Sequence, residues 1–166
     1  MRQGLRALSA WARPIDEDQA AEILSPDLLA LFRRMRRSEQ QHSLNVLQML
    51  RERGQNHPAL LIAALLHDVG KSFIAFHLWD RVIVVLVKAV APESAQRWGK
   101  GLPTGWRRPF VVSFQHPTWG AEMVAAAGGD PLAVELIAIH QTQLAHEPQT
   151  LTERLLIALQ AADDAN

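Results

Sequence analysis

The chain has 166 residues, 48% of them hydrophobic and 20% charged, which suits one soluble globular domain spanning 1–166. Lys plus Arg (17) equals Asp plus Glu (17), so net charge supplies no drive toward nucleic acid or an anionic membrane. Cysteine is absent, which excludes disulfides, thiolate metal sites and cysteine nucleophiles, so a transition-metal site must be built from histidine and carboxylate.

In chain order, Arg2 and Arg6 are followed by Asp16, Glu17 and Asp18 before any apolar core, unlike a secretory signal. No apolar run approaches the ~20 residues of a membrane span, and the expected location is cytoplasmic. The periodicity is helical almost throughout. Two short helices are expected over about 16–24 and 26–37, the second opened by Ser25–Pro26. Ser38 with Gln41 three residues later reads as a capping box, opening a helix to about Arg53 that Gly54 closes. Asn56–His57–Pro58 starts the next helix, expected to reach Val69 and to stop at Gly70 in a left-handed conformation. Another begins near Ser72 and carries "FIAFHLWDRVIVVLVKAVA"; apolar on nearly all sides, it is expected to be largely buried, with Pro92 ending it.

Residues 92–108, "PESAQRWGKGLPTGWRR", show no periodicity and are expected to form one long basic loop, with Arg97, Lys100, Arg107 and Arg108 against Glu93. A helix is expected to follow Pro117 and end at Gly128–Gly129. Asp130–Pro131 opens another to about His140, and a last one runs from about Thr150 to the C-terminus. There are no repeats and no second domain; the expected fold class is all-α, with about seven helices.

Seven histidines lie at 42, 57, 67, 77, 116, 140 and 146. His67 and Asp68 finish the apolar run "LIAALL". Neighbours on a helix point about 100° apart, so both reach one ion only if it sits beside the helix's last turn. Alternatively, His67 caps its own helix and Asp68 is solvated. An acid in a last turn opposes the helix dipole, and bound cations would remove that objection. His42 lies near a buried face of the preceding helix, and a hairpin through Gly54 to Pro58 would bring it toward His67. His116 heads "HPTWGAEM", where a helix-opening Pro117 would let its side chain project past the helix end. His140 finishes "LAVELIAIH" and Asp163 finishes "LLIALQAAD", so three buried helices end in His, His and Asp.

The ordered set His42, His67–Asp68, His116, His140 and Asp163, with "HDVGK", "HPTWGAEM" and "AADDAN", resembles the HD-domain superfamily of metal-dependent phosphohydrolases. The resemblance implies an all-α HD-domain bundle, with 1–37 an N-terminal helical extension and 38–166 the metal-binding core. It implies that His42, His67, Asp68 and Asp163 hold one metal. His116 and His140 would hold a second, with Asp68 bridging. Asp164 is the backup for Asp163. Two such cations can activate water, neutralise phosphate charge and stabilise a leaving oxygen. The donor set points to Fe or Mn, with Zn, Ni or Co possible and Mg disfavoured. Asp68 and Lys71 are the expected catalytic residues. Lys71 either faces a substrate phosphate or is solvated at a helix end. Arg107 and Arg108 either clamp a second phosphate oxygen or belong to a solvated loop, and the basic loop is expected to form part of the mouth of the site. His77, Asp80 and Arg81 read as a helix-surface cluster.

Gln141 follows His140 and no "GYP" triplet occurs beyond it, unlike the cyclic-di-GMP phosphodiesterase branch. The pattern resembles small stand-alone HD proteins. The expected partner is a small phosphorylated substrate, possibly a nucleotide, with no membrane and no long nucleic acid; the sequence leaves the oligomeric state open. The alternatives are a di-iron oxygenase on the same six ligands and a metal- or nucleotide-binding sensor without turnover.

Overall fold

The computed structural model describes residues 15–74 and 78–166. Nine α-helices occur among the described residues, and no strand. They are α1 (Glu17–Ala21), α2 (Pro26–Arg34), α3 (Arg37–Glu52), α4 (Pro58–Leu66), α5 (Leu78–Val90), α6 (Pro92–Trp98), α7 (Arg108–Ala126), α8 (Pro131–Ile139) and α9 (Leu151–Asp163). Tight 3-10 turns span Val69–Phe73 and Gly105–Arg107. None of these helices is long and apolar enough to cross a membrane.

Helix starts follow local chemistry. Ser25 Oγ accepts from Leu28 N, with Pro26 as the first helical residue. Asp130 Oδ1 accepts from Leu132 N and Ala133 N ahead of α8. At α9, Thr150 Oγ1 accepts from Glu153 N while Glu153 Oε2 accepts from Thr150 N, a reciprocal capping box. At α3 the expected Ser38–Gln41 box is not the cap. The cap is Arg36, two residues earlier, and Glu39 Oε2 accepts from Arg36 N at 3.3 Å.

The centre of the bundle is α4. Its sequence "PALLIAALL" is apolar all round, and Leu60, Leu65 and Leu66 are fully buried. Phe32 of α2, Leu47 and Leu50 of α3, Leu136 of α8 and Leu156 of α9 close on it in one contiguous core. A second, smaller core joins Val84 of α5, Ala95 of α6, and Phe110 and Val112 of α7.

Four expectations need correction. The segment 92–108 is not one loop: Pro92 opens α6, and Ala95 anchors it in the second core. Gln115 Nε2 then holds the return by donating to Gly99 O and Gly101 O at 3.0 and 3.1 Å. Second, α7 begins at Arg108, so Pro117 lies inside it and His116 is a mid-helix residue. A proline at 117 has no N–H for the Ser113 carbonyl four residues back. The Nδ1 of His116 stands 3.1 Å from that oxygen and 3.0 Å from Val112 O, replacing the missing donor.

Third, α4 stops at Leu66 and Gly70 lies in the 3-10 turn without a positive φ. Its role is close approach: a Cβ there would lie 2.0 Å from the His116 carbonyl oxygen and 2.8 Å from Gly120 N. Fourth, α5 is not largely buried. It lays Val84 on the second core and leaves most of its other apolar residues exposed. His77 lies outside the described residues; Asp80 accepts from Arg108 Nη2 at 3.2 Å.

Candidate metal centre

Three helices each deliver one buried histidine, and each histidine is oriented by its own helix. His67 follows the last residue of α4, and its Nδ1 is 3.0 Å from Ala64 O. His140 follows the last residue of α8, with Nδ1 2.8 Å from Ile137 O. In α7, His116 Nδ1 faces the Ser113 carbonyl that Pro117 leaves without a donor, and the Val112 carbonyl beside it. A carbonyl only accepts, so each Nδ1 carries the hydrogen and each Nε2 presents a bare lone pair.

Those lone pairs converge. His116 Nε2 and His140 Nε2 lie 3.3 Å apart, and neither has a proton to offer the other in this tautomer. His67 Nε2 is buried with no hydrogen-bond partner. Buried acceptors facing one another without a donor are costly, and a shared cation resolves the cost. The residues present therefore fit a metal. Imidazole and carboxylate donors without thiolate suit borderline first-row cations.

Two triads result. His42 of α3, His67 and Asp163 form one; Asp68, His116 and His140 form the other; within each, the potential donor atoms lie within 4.8 Å of one another. His42 Nε2 is 2.8 Å from Asp163 Oδ1, and His67 Nε2 is 3.6 Å from the same oxygen. Asp163 thus takes the position for which Asp164 was the backup, and Asp164 is exposed. The resemblance implies Asp68 as a ligand beside His42, His67 and Asp163 and as the bridge to the second metal. The geometry sets it between the triads, with Oδ1 3.3 Å from His116 Nε2 and Oδ2 3.7 Å from His67 Nε2.

The electrostatics favour that donor set. Burial alone would raise the Asp68 carboxyl, but Lys71 and His67 at close range, with His116, hold it well below its usual range. Burial pushes His116 down, against the opposing pull of Asp68. His140 is driven to about 3 by burial and then by His67 and His116. Asp163 is raised by burial and lowered by the His42 hydrogen bond and His67, with a net fall. Anionic carboxylates and neutral imidazoles are the forms a metal requires.

A cleft of about 230 Å³ opens on the centre, lined by Ser38, Glu39, Lys71 and Gln141 beside His42, Asp68, His140 and Asp163. Lys71 Nζ lies 2.5 Å from Asp68 Oδ2, so it is neither solvated nor free. Arg107 and Arg108 do not line this cleft. The Arg107 guanidinium lies over the Trp106 ring at 5.2 Å and Arg108 pairs with Asp80. No residue of 92–108 borders it, so that segment does not form the mouth of this cleft. Ser38, Glu39 and Gln141 escaped sequence reasoning. Ser38 and Glu39 precede His42 by four and three residues, which places them on its helix face, and Gln141 adjoins His140.

The family model described as HD domain matches residues 40–165. No match is found among curated proteins or among solved structures.

Proposed function

Since the chain belongs to the HD-domain family, we propose that it is a metal-dependent phosphohydrolase acting on a small phosphate ester, nucleotides included. The observation that carries the reading is the convergence of three buried Nε2 lone pairs and two carboxylates beside a lysine-lined cleft. His42, His67 and Asp163 would hold one cation and Asp68, His116 and His140 a second, with Fe or Mn favoured by the donors. Cations bound there supply Lewis-acid polarisation of a phosphoryl oxygen and make water nucleophilic at neutral pH.

The chain's own groups do the rest. Asp68 faces both triads, so one carboxylate sets their spacing. Lys71 is held at the cleft by Asp68 and can turn its remaining N–H groups toward a phosphate oxygen. Ser38 and Gln141 offer neutral hydrogen-bonding groups for the rest of the substrate. The small volume of the cleft suits a compact ester or one nucleotide end rather than a nucleic-acid strand.

The test is reconstitution of metal-stripped protein with Mn or Fe, followed by phosphate release from a panel of nucleotides and small phosphate esters. Release that depends on added metal and is lost in His116→Ala supports the reading. Oxygen consumption without phosphate release would move it to the oxygenase alternative. Metal binding with neither would leave a sensor.

A further inference from the structure

Helix α5 is built inside out for a monomer in water. Two of its charged residues, Asp80 and Lys88, face the protein: Asp80 pairs with Arg108 of α7, and the Lys88 ammonium lies 4.5 Å over the Phe114 ring. The opposite side carries Trp79, Val82, Ile83, Val85, Leu86 and Val90, each between 40% and 81% exposed. At about 100° per residue, Trp79, Val82, Ile83, Leu86 and Val90 fall on one stripe at i, i+3, i+4, i+7 and i+11. With Val85 beside it, the solvent side of α5 presents no charge between Trp79 and Val90 among the described side chains.

This is more than scattered surface apolarity. Taking side chains of up to about 250 Å² for tryptophan and less for the aliphatics, those exposures leave roughly 650 Å² of apolar surface on one helix. A typical monomer's largest apolar patch is about 300–600 Å². We propose that the outer face of α5 is the docking surface for a second copy of this chain, in a symmetric pair with α5 against α5.

Three observations favour a second copy over other occupants. Two such faces together remove at most roughly 1,300 Å², reaching the lower part of the about 1,200–2,000 Å² range of specific interfaces. A straight stripe with heptad-like spacing is self-complementary, as a two-fold contact requires, and matches the shallow crossing at which helices interdigitate. The stripe positions 79, 82, 83, 86 and 90 are all uncharged residues, so two copies meet along it without like-charge repulsion. An anionic membrane instead selects a helix with a basic polar side, and here the polar side of α5 is taken up by α7.

The measurement is sedimentation of the full chain over a wide concentration range. The wild type is expected at twice the chain mass. Ile83→Glu/Leu86→Glu is expected at one chain mass, with helical circular dichroism and metal content retained. Because the chain has no cysteine, Leu86→Cys adds a second readout: a short bis-maleimide should link two copies through it. The exposed Gln55→Cys should not be linked. If the charged variant fails to fold, the linking result decides. A wild type that is monomeric throughout, equal linking at both cysteines, or a folded charged variant that still dimerises overturns the proposal. A monomer that floats with phosphatidylglycerol vesicles assigns the face to lipid instead.

Discussion

Gly70→Ala should damage the protein at its functional seam. The alanine Cβ would lie 2.0 Å from the His116 carbonyl oxygen and 2.8 Å from Gly120 N. Carbon–oxygen contacts settle at about 3.3–3.6 Å, so the 69–73 turn and α7 must part by more than ~1 Å. Both partners are backbone, so no side chain can swing aside. The nearby Gly120 is tight on its own account, since a Cβ there would meet Gly70 N at 3.2 Å. Overpacking costs about 1–3 kcal/mol, and a clash against backbone alone belongs at or above the upper end, about 3 kcal/mol. For a chain of this size that lowers Tm by about 6–12 °C. The separation also pulls Asp68, in the residues just before the turn, away from His116, whose Nε2 lies 3.3 Å from Asp68 Oδ1. Thermal unfolding followed by circular dichroism, with metal counted by elemental analysis, reads both effects. The triad of Asp68, His116 and His140 should lose its ion before that of His42, His67 and Asp163. Gly54→Ala is the control: φ is +71° with nothing within 4 Å of the added carbon, so it should cost only about 1–2 kcal/mol of left-handed strain and no metal. A Gly70→Ala protein with wild-type Tm and full metal content would refute the steric argument.

Asp68→Ala should reduce metal content at both triads, measured by elemental analysis, because its two oxygens face different ones; retention of one full equivalent would show that it serves a single ion. Metal-stripped protein should lose stability in acid. His140 binds its proton near 3 when folded and near 6.5 when unfolded, so the unfolded state holds more protons between those values and stability falls as pH drops through that window. The slope from this group alone approaches about 1.4 kcal/mol per pH unit below 6, His116 adds in the same direction, and equal urea midpoints at pH 7 and pH 5 would contradict it. Lys71→Ala should lower kcat/KM on any phosphate ester turned over by about tenfold or more, the loss expected of a charged phosphate contact. Arg107→Ala with Arg108→Ala should leave kcat/KM within about twofold, since neither borders the cleft; a large fall would return them to the substrate.

Part of the candidate site was legible because residues interrupt a strong pattern; His42 was legible only through the resemblance. His67, His140 and Asp163 finish apolar runs where a purely structural helix would carry a glycine or a cation, and the structure puts His67 and Asp163 in one triad and His140 in the other. His116 was picked out for a partly wrong reason. Proline reads as a helix opener from sequence, and only the packed structure shows a histidine ring standing in for the missing N–H. The helix Pro92–Trp98 was hidden because seven residues hold too little periodicity to see, and Ala95, a small residue, does its anchoring. Burial of α5 was misjudged because a helix apolar on most sides reads as a core helix, whereas here, among its described side chains, only Val84 is buried in the second core. The walls of the cleft were missed because Ser38, Glu39 and Gln141 are polar residues next to ligands, which composition and periodicity do not distinguish from solvent-facing ones.

The three Nδ1 contacts, each made to a carbonyl three or four residues back in the chain, have a consequence for how such a protein can change. Each imidazole is aimed by its own backbone, so no neighbouring side chain has to be kept in order to aim it. Ser38 and Gln141, which line the cleft, take no part in aiming the rings, so exchanging them should leave His67, His116 and His140 on their bearing. Under the proposed function, substrate choice and metal chemistry would then be separable. A library varied at 38 and 141 should return proteins that differ in what they accept and share one metal content.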